Sequence, residues 1–332
     1  MPWDLIQLNS GYTIPSIAFG TWTLGNGQGP IDQVEQALAN GYDHIDTAQS
    51  YRNEAEVGTA LHEDGSARGD LFITTKYSGT NGLDIATSIQ NSLDNVTCPL
   101  ISFYFLLSFL SSQCKLTIRS WHIQLGTSYV DLYLIHSPRL AVPDIPTAWR
   151  EMEDVHVRGQ ARSIGVSNFN VGQLETLVAS AKIVPAVNQI LLHPYVYQQQ
   201  LPILEYAAQH GIIIEAYSAL IPVTKRPGGP LDAPLRELST KFGATPDQIL
   251  LAWVKAKGAV AVTTSSKKAR LQGYLAAGDI ALSQDDVAAI DKAGAIGEQR
   301  DKAKGTLHKL ALGALVGASV FGLCSYFNVR IF

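Results

Sequence analysis

The strongest constraint on this chain is a regular alternation of short apolar runs with helix-like segments. Strand-like runs fall at residues 17–21, 44–46, 71–76, 129–136, 162–167, 186–189, 212–217 and 259–264. Helical patterns fall at 31–40, 54–63, 84–94, 145–158, 171–181, 202–210, 231–242 and 246–256. Within 84–94, Ile85, Ile89 and Leu93 recur at four-residue spacing and so share one helix face. Strands separated by helices can pair in parallel, and this alternation predicts an α/β fold. Eight such units predict a closed (β/α)8 barrel of the TIM type. An open doubly wound sheet is the alternative. No strand is followed by GxGxxG, and Gly25-Asn26-Gly27-Gln28-Gly29 has the wrong spacing for it. Ahead of the first unit, residues 6–19 read as two short segments around the turn Asn9-Ser10-Gly11, a hairpin signal.

A chain of 332 residues suits one large barrel domain, and 46% hydrophobic residues supply an ample core. A net charge of −4 without a long like-charge run leaves no electrostatic footprint for nucleic acid. The three cysteines, Cys98, Cys114 and Cys324, show no CxxC or Cys/His ligand spacing. A disulfide scaffold and a metal site are therefore not expected, and a reducing compartment fits. The N-terminus lacks a basic segment followed by an apolar one, so it does not read as a signal peptide.

The chemistry concentrates in GYDHIDTAQSYRNEAEVG, residues 41–58. Asp46 ends the second strand-like run and Tyr51 lies five residues on, in a loop at the strand's C-terminal end. Lys76 closes the third run and His136 the fourth. The C-terminal strand ends are where barrels collect their chemistry. A carboxylate, a phenol, an amine and an imidazole make a general-acid site rather than a nucleophile or metal site. A tyrosine titrates at about pH 10, so it is a poor acid unless a cation stabilises its anion. Lys76 would do so, held by Asp46, while His136 would orient the group that receives the proton.

With their surrounding strings, Asp46, Tyr51, Lys76 and His136 resemble the catalytic tetrad of the aldo-keto reductases, and the resemblance covers roughly residues 5–295. It implies NADPH-dependent reduction of aldehydes and ketones by a monomer, with Tyr51 as acid and the hairpin plugging the barrel bottom. It also implies a cofactor site. Ser167 and Asn168 in GVSNF, with Gln189 in AVNQ, resemble the carboxamide-binding trio. Tyr217 resembles the residue that stacks on the nicotinamide, with Ser218 and Leu220 at the pyrophosphate. In VTTSSKKARL, Ser265 and Arg270 keep the offset of the segment that grips a 2′-phosphate. Thr264 stands where a lysine is usual, and Lys267 or Lys268 could restore that charge. Thr21 and Trp22 complete the cofactor side, and Trp22 and His136 the substrate pocket. Ser137-Pro138 stands where many relatives place a tryptophan, so the pocket is expected to be open.

Two stretches depart from the family pattern. Residues 96–124 interrupt the link between the third helix and the fourth strand, with the apolar run 100–110 inside. A retained intron or a lineage-specific insertion explains this stretch, and both place it on the barrel's bottom face, away from the chemistry. After residue 295 a polar linker, 296–309, leads to 310–327, eighteen residues without a charge. That tail reads as a membrane anchor with the catalytic domain in the cytoplasm. The rival functions are a nicotinamide-binding regulatory subunit, like the potassium-channel β subunits of this fold, and an inactive product of an aberrant transcript.

Overall fold

The computed structural model describes residues 3–97 and 129–303. Eight parallel strands close into a barrel: β3 (Ile17–Gly20), β4 (His44–Asp46), β5 (Phe72–Tyr77), β6 (Val130–Ile135), β7 (Ala161–Ser167), β8 (Val187–Leu191), β9 (Ile213–Tyr217) and β10 (Val260–Thr263). They pair in sequence order, and β10 closes on β3 with Val262 opposite Ala18. The predicted (β/α)8 architecture is therefore the observed one. The strands are short, rich in Val and Ile and almost wholly buried, as expected where helices cover one face and the barrel interior the other.

β1 (Leu5–Gln7) and β2 (Thr13–Pro15) form the expected antiparallel hairpin. Asn9 Nδ2 donates to Pro185 O at 3.1 Å, and the Ser10 and Ser163 hydroxyls lie 2.8 Å apart. These partners stand at the start of β8 and in the first half of β7, so the hairpin closes the N-terminal end. Leu8 and Ile14 pack there on Phe72, Leu132, Leu134, Val187 and Val260, making that end a dry apolar floor. Chemistry is left to the other end.

The helix starts carry identifiable caps. Asn170 and Gln173 form a capping box before Val171–Val178, as do Thr245 and Gln248 before Pro246–Ala256. Asp144 accepts from Thr147 N at 2.8 Å ahead of Ile145–Val157. Two prolines misled the sequence reading. The first helix, Gln28–Ala39, starts ahead of Pro30 rather than after it, because proline is tolerated in a first turn. Helix Tyr197–Gln209 starts five residues before the expected 202, with Pro202 inside it.

The largest departure follows β10. Helix Lys268–Ala276 has no counterpart among the expected helices, and a further helix over 284–303 takes in 296–303 of the expected linker. Gly297, inside the expected linker, and Gly294, just before it, allow close packing. A Cβ at 294 would meet Pro194 O at 2.3 Å, and one at 297 would meet the Tyr195 ring at 2.2 Å. Asp291 ties this helix to the barrel by accepting from Trp253 Nε1 at 2.8 Å and Lys257 Nζ at 2.6 Å. Glycine three residues apart marks the contact face of a helix here, not a linker. The remainder of the expected linker, the apolar tail 310–327 and insertion residues 98–124 lie outside the described residues. Among the described residues no helix is long and apolar enough to cross a membrane.

Candidate active site

The C-terminal end of the barrel is polar where the floor is apolar. Lys76, at the end of β5, is fully buried, and its Nζ lies 2.7 Å from both Asp46 carboxylate oxygens. It also donates to Thr47 O at 2.9 Å. Burial pulls against the ammonium, but Asp46 and then Tyr51 outweigh it and raise Lys76 overall. The site thus keeps a charged lysine in a dry interior.

Tyr51 stands in a short helical turn, Gln49–Tyr51, after β4. The Lys76 ammonium lies 5.1 Å from its ring centroid. Burial raises the Tyr51 hydroxyl, and Lys76 pulls it back, so Tyr51 holds its proton at neutral pH beside a fixed cation. The His136 ring meets Tyr51 edge-on, with centroids 5.5 Å apart. Burial, then the charge of Lys76, lowers His136 to about 4, which makes it a neutral imidazole. Its Nδ1 faces Ser78 Oγ at 3.0 Å and Ser50 Oγ at 3.3 Å. All four residues of the expected tetrad therefore meet around one point.

The expected cofactor residues lie along the neighbouring strand ends. Asn168, just past β7, donates from Nδ2 to His136 O at 3.2 Å and accepts from Tyr217 Oη at 2.9 Å. Ser167 Oγ donates to Gln189 O at 2.9 Å. Asn168 (φ 65°) and Ser218 (φ 60°) occupy the left-handed region, strain of the kind that gathers at functional sites. Leu220 precedes the short helix Ile221–Thr224. Thr264, Lys267 and Arg270 are exposed and Ser265 is partly buried, in the loop and first turn after β10. In the sheet Val262 is opposite Tyr217, so this basic loop leaves the barrel beside the tyrosine. Trp22 is 61% exposed at the rim. Thr21 stands apart from the others. Its side chain is buried and bonded to Thr47 Oγ1 at 3.0 Å and Asn53 Oδ1 at 3.3 Å, bracing the β3 and β4 ends.

Four contributors were not anticipated. Ser50 and Ser78 flank His136, and the Thr47 carbonyl is a third acceptor for Lys76. Glu215 on β9 is fully buried, and its Oε2 accepts from Gln189 Nε2 at 2.7 Å. Burial first, and the Asp46 charge second, push its carboxyl up to about 8. The sequence did carry a signal, one acidic residue inside the apolar run IIIEAY. The His44 ring is held by its surroundings, with its nitrogens facing Pro15 O at 3.2 Å and Thr74 Oγ1 at 2.9 Å. Among the described residues no group of acidic, histidine or cysteine side chains is arranged to hold a metal.

Residue types and placement fit a nicotinamide dinucleotide. An exposed amide beside a half-buried tyrosine suits the ring end, and an exposed basic loop suits a phosphate.

Known proteins share this arrangement of fold and sequence. An NAD/NADP-dependent indole-3-acetaldehyde reductase of Schizosaccharomyces pombe is 35% identical over 298 residues, 87% of this chain and 93% of its own. An NADPH-dependent alpha-keto amide reductase of Saccharomyces cerevisiae is 34% identical over 289 residues, 81% of this chain and 83% of its own. The crystal structure of a Bombyx mori aldo-keto reductase in complex with NADP superposes with a TM-score of 0.70 at 30% identity, covering 88% of this chain and 92% of that one. The profile of the aldo/keto reductase family matches residues 16–105 and 117–295 and leaves 106–116 unmatched, inside the stretch read as an insertion. On sequence and fold together, the chain belongs to the aldo/keto reductase family.

Proposed function

We propose that this chain reduces aldehydes and ketones to alcohols with NADPH, and that Tyr51 is the general acid. The observation that carries the reading is a fully buried Lys76, paired with Asp46 and set 5.1 Å from the Tyr51 ring. A bound reduced nicotinamide supplies the hydride. The chain's own residues handle the proton and the charge. As negative charge develops on the substrate oxygen, Tyr51 gives up its hydroxyl proton, and Lys76 stabilises the phenolate left behind. Asp46 keeps that ammonium charged and aimed. Neutral His136 has Nδ1 within hydrogen-bond distance of the Ser50 and Ser78 hydroxyls; with Nδ1 as the acceptor there, its proton would stand on Nε2 and be offered to the carbonyl oxygen.

Ser167, Asn168 and Gln189 would hold the carboxamide, Tyr217 the ring face, and Ser218 and Leu220 the pyrophosphate. Lys267, Lys268 and Arg270 would meet the 2′-phosphate, which favours NADPH over NADH. The names of the two yeast relatives, both reductases of carbonyl compounds, support this reading. Following NADPH absorbance with an aromatic aldehyde tests it. The chain should consume NADPH and Tyr51→Phe should lose about a hundredfold or more. A chain that binds NADPH yet reduces no carbonyl would favour the regulatory role instead.

A further inference from the structure

Gln189 lies between two acidic side chains in the barrel interior. Its Nε2 donates to Asp46 Oδ2 at 2.8 Å and to Glu215 Oε2 at 2.7 Å, spending both amide hydrogens. Its Oε1 accepts no hydrogen bond from the described residues. The opposite flip would turn Oε1 toward the Asp46 carboxylate, an acceptor facing an acceptor. Among the described residues the Glu215 carboxyl makes no other hydrogen bond: Oε1 is buried without a partner, 3.9 Å from His44 Nε2. A fully buried carboxyl in a strand of apolar residues is costly unless it is used. Its one hydrogen bond goes to the amide at the cofactor end of the site.

We propose that Glu215 is a positioning residue which, together with Asp46, locks the Gln189 amide with its oxygen outward. Gln189 then reads the cofactor's carboxamide as a hydrogen-bond donor. This rests on the proposed NADPH site and adds to it a reason for that site to require an amide group on the nicotinamide. Asp46 has a second duty at Lys76, so Glu215 is the partner whose only role is the amide.

The test is binding, not turnover. Kd values for NADP+ and for its 3-acetylpyridine analogue, which lacks the amide N–H, are measured by fluorescence titration on the full chain and two variants. Glu215→Val removes the acceptor and keeps strand propensity, whereas Glu215→Gln keeps an acceptor oxygen without charge. The unaltered chain should prefer the carboxamide, Glu215→Val should lose about threefold to tenfold of that preference, and Glu215→Gln should restore it. If Glu215→Val does not fold, Glu215→Ala serves the same comparison. A folded Val or Ala variant with undiminished preference overturns the proposal. Equal loss in the Val and Gln variants also overturns it, because an acceptor oxygen at 215 would then not be what sets the preference. Failure of the unaltered chain to bind NADP+ at all would remove the NADPH reading, and this inference with it.

Discussion

Lys76 Nζ sits 2.7 Å from both oxygens of Asp46, and neither side chain has meaningful access to solvent. A dry ion pair of this kind is poor evidence of stabilisation, because desolvation consumes most of the attraction. It is better understood as the means of keeping one cation charged beside Tyr51.

Lys76→Met should therefore harm two properties at once. It leaves Asp46 buried without a counter-charge, at a cost of about 3–5 kcal/mol of stability. It also removes the group proposed to stabilise the Tyr51 anion. Thermal melting and aldehyde reduction should both fall. A variant with unchanged melting temperature and unchanged turnover would contradict this account of the site.

Arg270→Ala with Lys267→Ala should raise KM for NADPH by about tenfold or more, since charge-assisted bonds to phosphate are among the stronger polar contacts. KM for NADH, which lacks the 2′-phosphate, should hardly move. Equal effects on both cofactors would place the 2′-phosphate elsewhere.

Acid and alkali should act through different residues. His44, His136 and His193 are lowered by burial to about 4, so the unfolded chain binds more protons than the folded one between about 4 and 6.5. Stability should fall as pH drops through that window. Glu215 has the opposite sign. Its folded value near 8 exceeds its ordinary 4.5, so its contribution is lost as pH rises between them. Denaturant midpoints measured across this range should show the natural chain losing ground to Glu215→Gln on the alkaline side. A difference independent of pH would mean that Glu215 does not titrate in the window.

Gly297→Val should destabilise the fold by about 1–3 kcal/mol, because the new side chain overlaps the Tyr195 ring. Gly243→Ala, at a helix end with φ 62° and open surroundings, is the contrasting case, where only backbone strain operates. Melting temperatures separate the two. If Gly297→Val melts with the natural chain, the terminal helix is not packed as described.

The eight strands and most of the helices between them were legible in the sequence, since burial on both faces leaves continuous apolar runs that survive without tertiary information. The clustering of Asp46, Tyr51, Lys76 and His136 was equally legible. Each member ends a strand or follows one closely, and barrel closure carries all strand ends to the same rim. What the sequence concealed depended on who the neighbours are. Gly297 looks like a linker residue until Tyr195 lies against it. Thr21 looks available until Thr47 and Asn53 take its hydroxyl. Glu215 is an oddity in an apolar strand until closure of the barrel brings Gln189 to it, with Asp46 on the amide's other hydrogen. The sequence by itself determined the periodicity, and with it the barrel and the residue types at its rim. Only the tertiary structure decided which partners the buried polar groups of the site find, because hydrogen-bond partners are set by distance in space and those distances are long in sequence.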